Sequence, residues 1–278
     1  MRKIKIVADS SCDLFKLAHA EFTTAPMKII TDEKDFVDNP YLDIDGMVDY
    51  LYQYKGKSKS SCPNTTDWLD AFGDADEIFC VTITSGLSGS YNSACIAKRI
   101  YESENEGKRV HVFDTLSAGP EITLIIEKIE ECIDRNMSFE DICECVTAYM
   151  KKTGLVFMLK SLKNFANNGR VSPIVAKLVG IAGICIVGKA SNEGTLEPMH
   201  KCRGERRSLE TLAEDLKAEG FCSGKISIGH CQNESAAEQL KELILAKFKN
   251  VQVEIHKFRG LCSFYAEKGG VLVGFEKM

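Results

Sequence analysis

The chain has 278 residues, which at about 100–200 residues per domain means one or two domains and a sizeable core without covalent staples. Thirty-five Lys and Arg against forty Asp and Glu leave a formal net charge of −5, so the basic excess of a nucleic-acid-wrapping protein is excluded. Hydrophobic residues at 44% and charged residues at 27% are globular values, and the disordered and fibrous classes drop out.

From the N-terminus, Met1-Arg2-Lys3 runs straight into a strand pattern at Ile4–Val7, with none of the layout of a signal peptide. The strand ends in Asp9-Ser10-Ser11. Met27–Ile30 and Asp35–Val37 flank turn residues and predict a hairpin. Asp45 is expected to cap a helix reaching about Tyr54, and Thr65 or Thr66 a second helix carrying Trp68, Leu69 and Phe72. Ile78–Ile83 is a continuous apolar run, as in a strand covered on both faces. A helix over Leu87–Ser103, a strand at Val110–Phe113 and helices over Glu121–Arg135 and Phe139–Lys152 follow, the last capped by Ser138 with Asp141 three residues on. This alternation predicts a mostly parallel sheet with helices on both faces.

The rhythm changes at 153–156. Leu155–Leu159 reads as a strand and Pro173–Val179 as a helix. Ile184–Gly188 and Leu196–Cys202 read as an antiparallel hairpin about Ser191–Gly194. Helices over Leu209–Ala218 and Glu234–Phe248 and strands at Lys225–Gly229, Val251–His256 and Val271–Phe275 complete the chain. The expected fold is therefore α/β: a parallel-sheet α/β domain over 1–154, and an α+β domain with a largely antiparallel sheet over 155–278. The most apolar stretch, Leu178–Gly188, has 11 residues where a membrane span needs about 20. It is expected to be a buried helix end passing into a core strand.

Twelve cysteines form no CxxC pair with a neighbouring His. They are read as small buried apolar residues in a reducing, cytoplasmic setting, with no metal site. P-loop and G-x-G-x-x-G motifs are missing, and Gly86-Leu87-Ser88-Gly89 falls one residue short of a nucleophile elbow. Catalytic residues are accordingly not identifiable. Three hydroxyl-rich segments stand where strands give way to helices: Asp9-Ser10-Ser11, Ser58–Pro63 and Thr82–Ser90. Each is read either as ordinary N-caps or as an anion site built from free N–H groups, a helix dipole and hydroxyls. Two function classes remain at this point: a carrier of an anionic ligand, and an enzyme acting on a small phosphorylated or carboxylated substrate at the same hydroxyls.

Val7-Ala8-Asp9-Ser10-Ser11-Cys12-Asp13-Leu14, Ser60-Ser61-Cys62-Pro63-Asn64, Thr84–Ala94, Asn167-Asn168-Gly169-Arg170-Val171-Ser172 and Lys201-Cys202-Arg203-Gly204 follow one another in the order of five motifs of one family. The chain resembles the DegV family of fatty-acid-binding proteins, which includes the acyl-carrier subunit of bacterial fatty-acid kinase. The resemblance implies one long-chain fatty acid bound between the two domains, no cofactor, and a kinase subunit as partner. It implies a carboxylate site drawn from Ser60, Ser61, Thr84, Ser85 and Ser88, with Arg203 near the head group and Arg170 on the partner-facing surface. Tyr265 stands where the family has the His that touches the carboxylate, and is expected there as a donor of one hydrogen bond; Ser60 stands where the family has Thr.

Overall fold

The computed structural model of the chain describes residues 2–172, 175 and 183–277. The helix expected over 173–179 lies, apart from Val175, outside the described residues. So does the start of the apolar run at 178–182.

The first half carries β1 (Ile4–Asp9), β2 (Glu21–Ala25), β3 (Lys28–Ile30), β4 (Asp35–Val37), α1 (Ile44–Gln53), β5 (Lys59–Ser61), α2 (Thr65–Phe72), β6 (Glu77–Thr82) and α3 (Ser90–Glu104). It continues with β7 (Arg109–Asp114), α4 (Pro120–Asp134) and α5 (Phe139–Met150). The rest carries β8 (Thr153–Leu159), α6 (Lys163–Asn167), β9 (Ile184–Ala190), β10 (Leu196–Arg203), α7 (Glu205–Ala218), β11 (Gly224–His230), α8 (Glu234–Lys247), β12 (Val251–Lys257), α9 (Gly260–Ala266) and β13 (Val271–Glu276).

The fold is mixed α/β, as expected. Strands β2-β1-β6-β7 form a four-stranded, wholly parallel sheet. Alternation along β1 divides its two faces: Ile6 and Ala8 pack with α4 and α5 residues such as Ile122, Ile125 and Phe139, while Val7 packs with Trp68, Phe72 and Ala94 of α2 and α3. All six residues of β6 are buried, which explains its unbroken apolar run. A six-stranded sheet, β10-β9-β8-β13-β11-β12, is antiparallel except for β11 with β12. The expected hairpin of β3 and β4 gains β5 as a third, antiparallel strand.

Local chemistry corrects three helix starts. Asp43, not Asp45, caps α1 by accepting from the Gly46 N–H. Asn64 caps α2 in a reciprocal box with Asp67, so the threonines lie inside the helix. Residues 87–89, expected in α3, belong to the loop before it, and the helix opens at Ser90. Ser138 does cap α5, accepting from the Asp141 N–H.

In β8 alternation sets up the site. Val156 and Met158 enter the core beneath α7 and α8. Leu155, Phe157 and Leu159 point to the other face, where they line a cavity.

Candidate functional site

The cavity has a volume of about 270 Å³ and lies outside the carboxyl ends of the parallel strands, where open α/β sheets bind ligands. The loops after β6 and β7 give it Ile83, Thr84, Leu87, Ser88, Ser117 and Ala118. Strands β8 and β13 add the alternating apolar face with Leu272, and α9 adds Leu261, Cys262, Tyr265 and Ala266. Arg170 is the one charged residue on its wall among the described residues.

Ser60 and Tyr265 meet here from positions 205 residues apart, their oxygens at 2.6 Å. In such a pair one hydroxyl donates to the other, leaving one O–H for a ligand. Tyr265 is held between Phe165 and Phe264, with ring centroids at 4.6 and 4.9 Å. Burial raises its pKa; Ser60 and the Arg170 charge act against this. The phenol is therefore neutral at physiological pH. The turn carrying Arg170 is tied to β5 by Asn168, which accepts from the Ser60 N–H at 3.2 Å and donates to the Ser58 carbonyl at 3.2 Å. Arg170 Nε donates to the Leu87 carbonyl at 2.9 Å, and its guanidinium also donates to the Asn168 carbonyl. Ser61 and Ser88 also line the cavity.

Three expected positions differ. Ser85 is exposed and faces away from the cavity, its N–H donating to Asp114 at 3.0 Å. The tight turn in which Thr84 Oγ1 accepts from the Gly86 N–H sends Thr84 inward and Ser85 out. Arg203 is exposed and is not on the cavity wall. It lies seven residues along β10 from Leu196, which is on the wall, and at ~3.3 Å per residue that is roughly 23 Å away. Arg170, expected on a partner-facing surface, is half-buried in the wall.

Asp9 and Arg259 hold the site together without touching the cavity. Asp9 is completely buried at the end of β1. It accepts from the Ile83 N–H at 2.9 Å, the Ser90 hydroxyl at 2.6 Å, the Ser11 N–H at 3.2 Å and the Ser11 hydroxyl. It thereby pins both ends of the loop bearing Thr84 and Ser88. Burial raises its pKa and these donors oppose the rise. Arg259, also fully buried, precedes α9. It donates to the Asp38 carboxylate at 3.3 Å and to the carbonyls of Asp38 and Leu14 at 2.7 and 2.6 Å. Sequence reading missed Arg259. A lone Arg is ordinarily a surface residue, and its acidic partner is 221 residues away.

Asp13 lies behind this wall and accepts from the Arg259 N–H at 2.7 Å. Burial pushes its pKa to about 8, with the Arg259 N–H and the Cys262 thiol opposing the rise. An unfolded Asp releases its proton near pH ~4, so the folded state binds the extra proton between those values. The associated stability is full below the unfolded value and is lost as pH rises through about 8. Asp13→Asn removes this titration. In urea unfolding the variant should gain on the wild type between about pH 4 and about pH 8; parallel pH profiles would contradict the assignment.

Among the described residues no helix is long and apolar enough to cross a membrane. The family model for uncharacterised proteins of the DegV family matches residues 3–277. A DegV domain-containing protein of Streptococcus pneumoniae is 43% identical over 276 residues, covering 98% of each chain. Two crystal structures each share 42% identity with this chain, with a TM-score of 0.97, over 99% of it and 100% of the other. One is a DegV family protein from Eubacterium eligens loaded with heptadecanoic acid. The other is the fatty acid kinase (Fak) B3 protein of Streptococcus pneumoniae loaded with linoleic acid. With matches running almost end to end, the chain belongs to the DegV family.

Proposed function

We propose that this protein binds one long-chain fatty acid in the cavity and presents it to a kinase subunit for conversion to the acyl phosphate. In this reading the carboxylate is held by Ser60, Ser61, Ser88, Tyr265 and Arg170. Residues 1–154 and 155–278 act as two domains enclosing the ligand. The chain has no chemistry of its own, and it works in the cytoplasm, where twelve thiols stay reduced.

The observation that carries the proposal is the Ser60–Tyr265 pair beside Arg170 on an otherwise largely apolar wall. Burying each CH₂ contributes roughly 0.8 kcal/mol, so a chain of about 15 methylenes contributes on the order of 12 kcal/mol. Ordering and immobilising the ligand offsets several kcal/mol of this. The tail therefore supplies affinity. The polar group supplies orientation, because a buried carboxylate without partners is heavily penalised. An apolar wall of this extent has little to offer a small phosphorylated substrate, which disfavours the enzyme alternative.

Native mass spectrometry of the purified protein tests the ligand class: an added mass matching a long-chain acid is expected, and a protein that neither carries nor takes up such an acid refutes it. Tyr265→Phe should weaken fatty-acid binding by about tenfold or more, the range for a hydrogen bond to a charged group. Unaltered affinity in equilibrium binding would remove Tyr265 from the site. Incubating the loaded protein with a fatty-acid kinase and ATP should yield acyl phosphate, and none forming would sink the presenting role.

A further inference from the structure

Two buried residues on the cavity wall bear hydroxyls that make no hydrogen bond to the Ser60–Tyr265 pair and have hydrogen-bonding capacity to spare. Thr84 and Ser117 are 1% and 2% exposed, and both face the cavity. They leave adjacent strands, β6 and β7, and the Thr84 N–H donates to the Ser117 carbonyl at 2.9 Å. Ser117 gives its hydroxyl proton to Glu121, whose other carboxylate oxygen accepts from Thr153 at 2.7 Å. That leaves the Ser117 oxygen with lone pairs and no proton for a ligand.

Thr84 is the converse. Its oxygen accepts from the Gly86 N–H at 3.0 Å, and among the described residues its own O–H meets no acceptor. Space for that hydroxyl exists because residue 194, in the β9–β10 turn, is glycine: a Cβ there would collide with Thr84 Oγ1. A spare donor and a spare acceptor on two residues joined through their backbones, both out of water, together complement one hydroxyl group, which accepts and donates at once. A carbonyl or ether oxygen satisfies only the donor, and a methylene satisfies neither.

We propose that Thr84 and Ser117 form a second polar subsite, and that the ligand taken best is a long-chain acid carrying a hydroxyl on its acyl chain. This rests on the fatty-acid reading above and specifies its substrate class.

The test uses the full-length delipidated protein and displacement of a labelled unsubstituted long-chain acid. The competitors are the unlabelled parent acid and a series of monohydroxy acids of the same length, with the hydroxyl moved along the chain. One position, or two adjacent ones, should bind about tenfold tighter than the parent, the effect of pairing two buried polar groups at once. In Ser117→Ala the ratio of that acid to the parent should fall to about one, whatever the absolute affinities. The proposal is overturned if every hydroxy acid binds more weakly than the parent, as it would if the pair held only a water molecule, or if the preference survives in Ser117→Ala. In both cases the parent acid still binds and the fatty-acid reading stands. If neither parent nor hydroxy acids bind, both readings fall together.

Discussion

Arg259→Met is expected to lower the unfolding free energy by about 3–5 kcal/mol, the cost of removing one partner from a buried ion pair. Arg259 is 0% exposed and Asp38 1% exposed at the side chain, so neither charge falls back on water. The Arg259 side chain also donates to two carbonyls and to Thr24 at 3.2 Å, and all three bonds are lost with it. Asp38 in turn accepts from the Leu261 N–H at 2.8 Å, so the pair fastens the first turn of α9. That helix carries four cavity residues, Leu261, Cys262, Tyr265 and Ala266. Urea unfolding monitored by circular dichroism reads the loss. The double variant Arg259→Met/Asp38→Asn should recover part of it, because it leaves no unpaired charge while the introduced amide oxygen still accepts from the Leu261 N–H. A double variant less stable than Arg259→Met alone would refute the ion-pair account.

Asp9→Ala should cost about 3 kcal/mol, chiefly through the Ile83 and Ser11 N–H groups, which have no other partner among the described residues and cannot turn away. The Ser11 and Ser90 hydroxyls can rotate toward other acceptors and contribute less. The loss is expected to be local. Amides across 83–90 should exchange with solvent far faster than those of β6, because the carboxylate is what fixes the loop to the end of β1. Uniform loss of protection throughout the parallel sheet would show that Asp9 supports the sheet and not the loop.

Much of the architecture was legible in the chain. The run Ile78–Ile83 reports a doubly covered strand because burial on both faces suppresses alternation, and β6 is that strand. By contrast β2, Glu21–Ala25, has only one buried residue. It is an edge strand held by parallel pairing to β1, and pairing partners leave no local mark. Helix α9 was missed because its seven residues begin with Gly and carry no capping side chain. Its start depends on Arg259 and Asp38, a contact with no counterpart in periodicity.

The site divides in the same way. The hydroxyl-rich character of Ser58–Pro63 and Thr82–Ser90 is a local property, and both segments do reach the cavity. Which hydroxyls face inward is decided by turn geometry, and it separates Thr84 from Ser85. Both arginines near turns or strand ends looked alike in sequence. Only the Asn168 bridge to β5 brings Arg170 inward, while the length of β10 carries Arg203 away from Leu196.

By itself the sequence determined the mixed α/β class, the change of rhythm at 153–156, the hydroxyl-rich loops and the resemblance to the DegV family, because composition, periodicity and short motifs are written in neighbouring residues. Tertiary structure alone decided that Ser60 meets Tyr265 across 205 positions, that Arg259 is buried against Asp38, and that Thr84 and Ser117 share one wall. Those contacts are set by how sheets and loops pack once the chain has closed on itself, and no local pattern encodes which distant side chain fills the opposite side of a cavity.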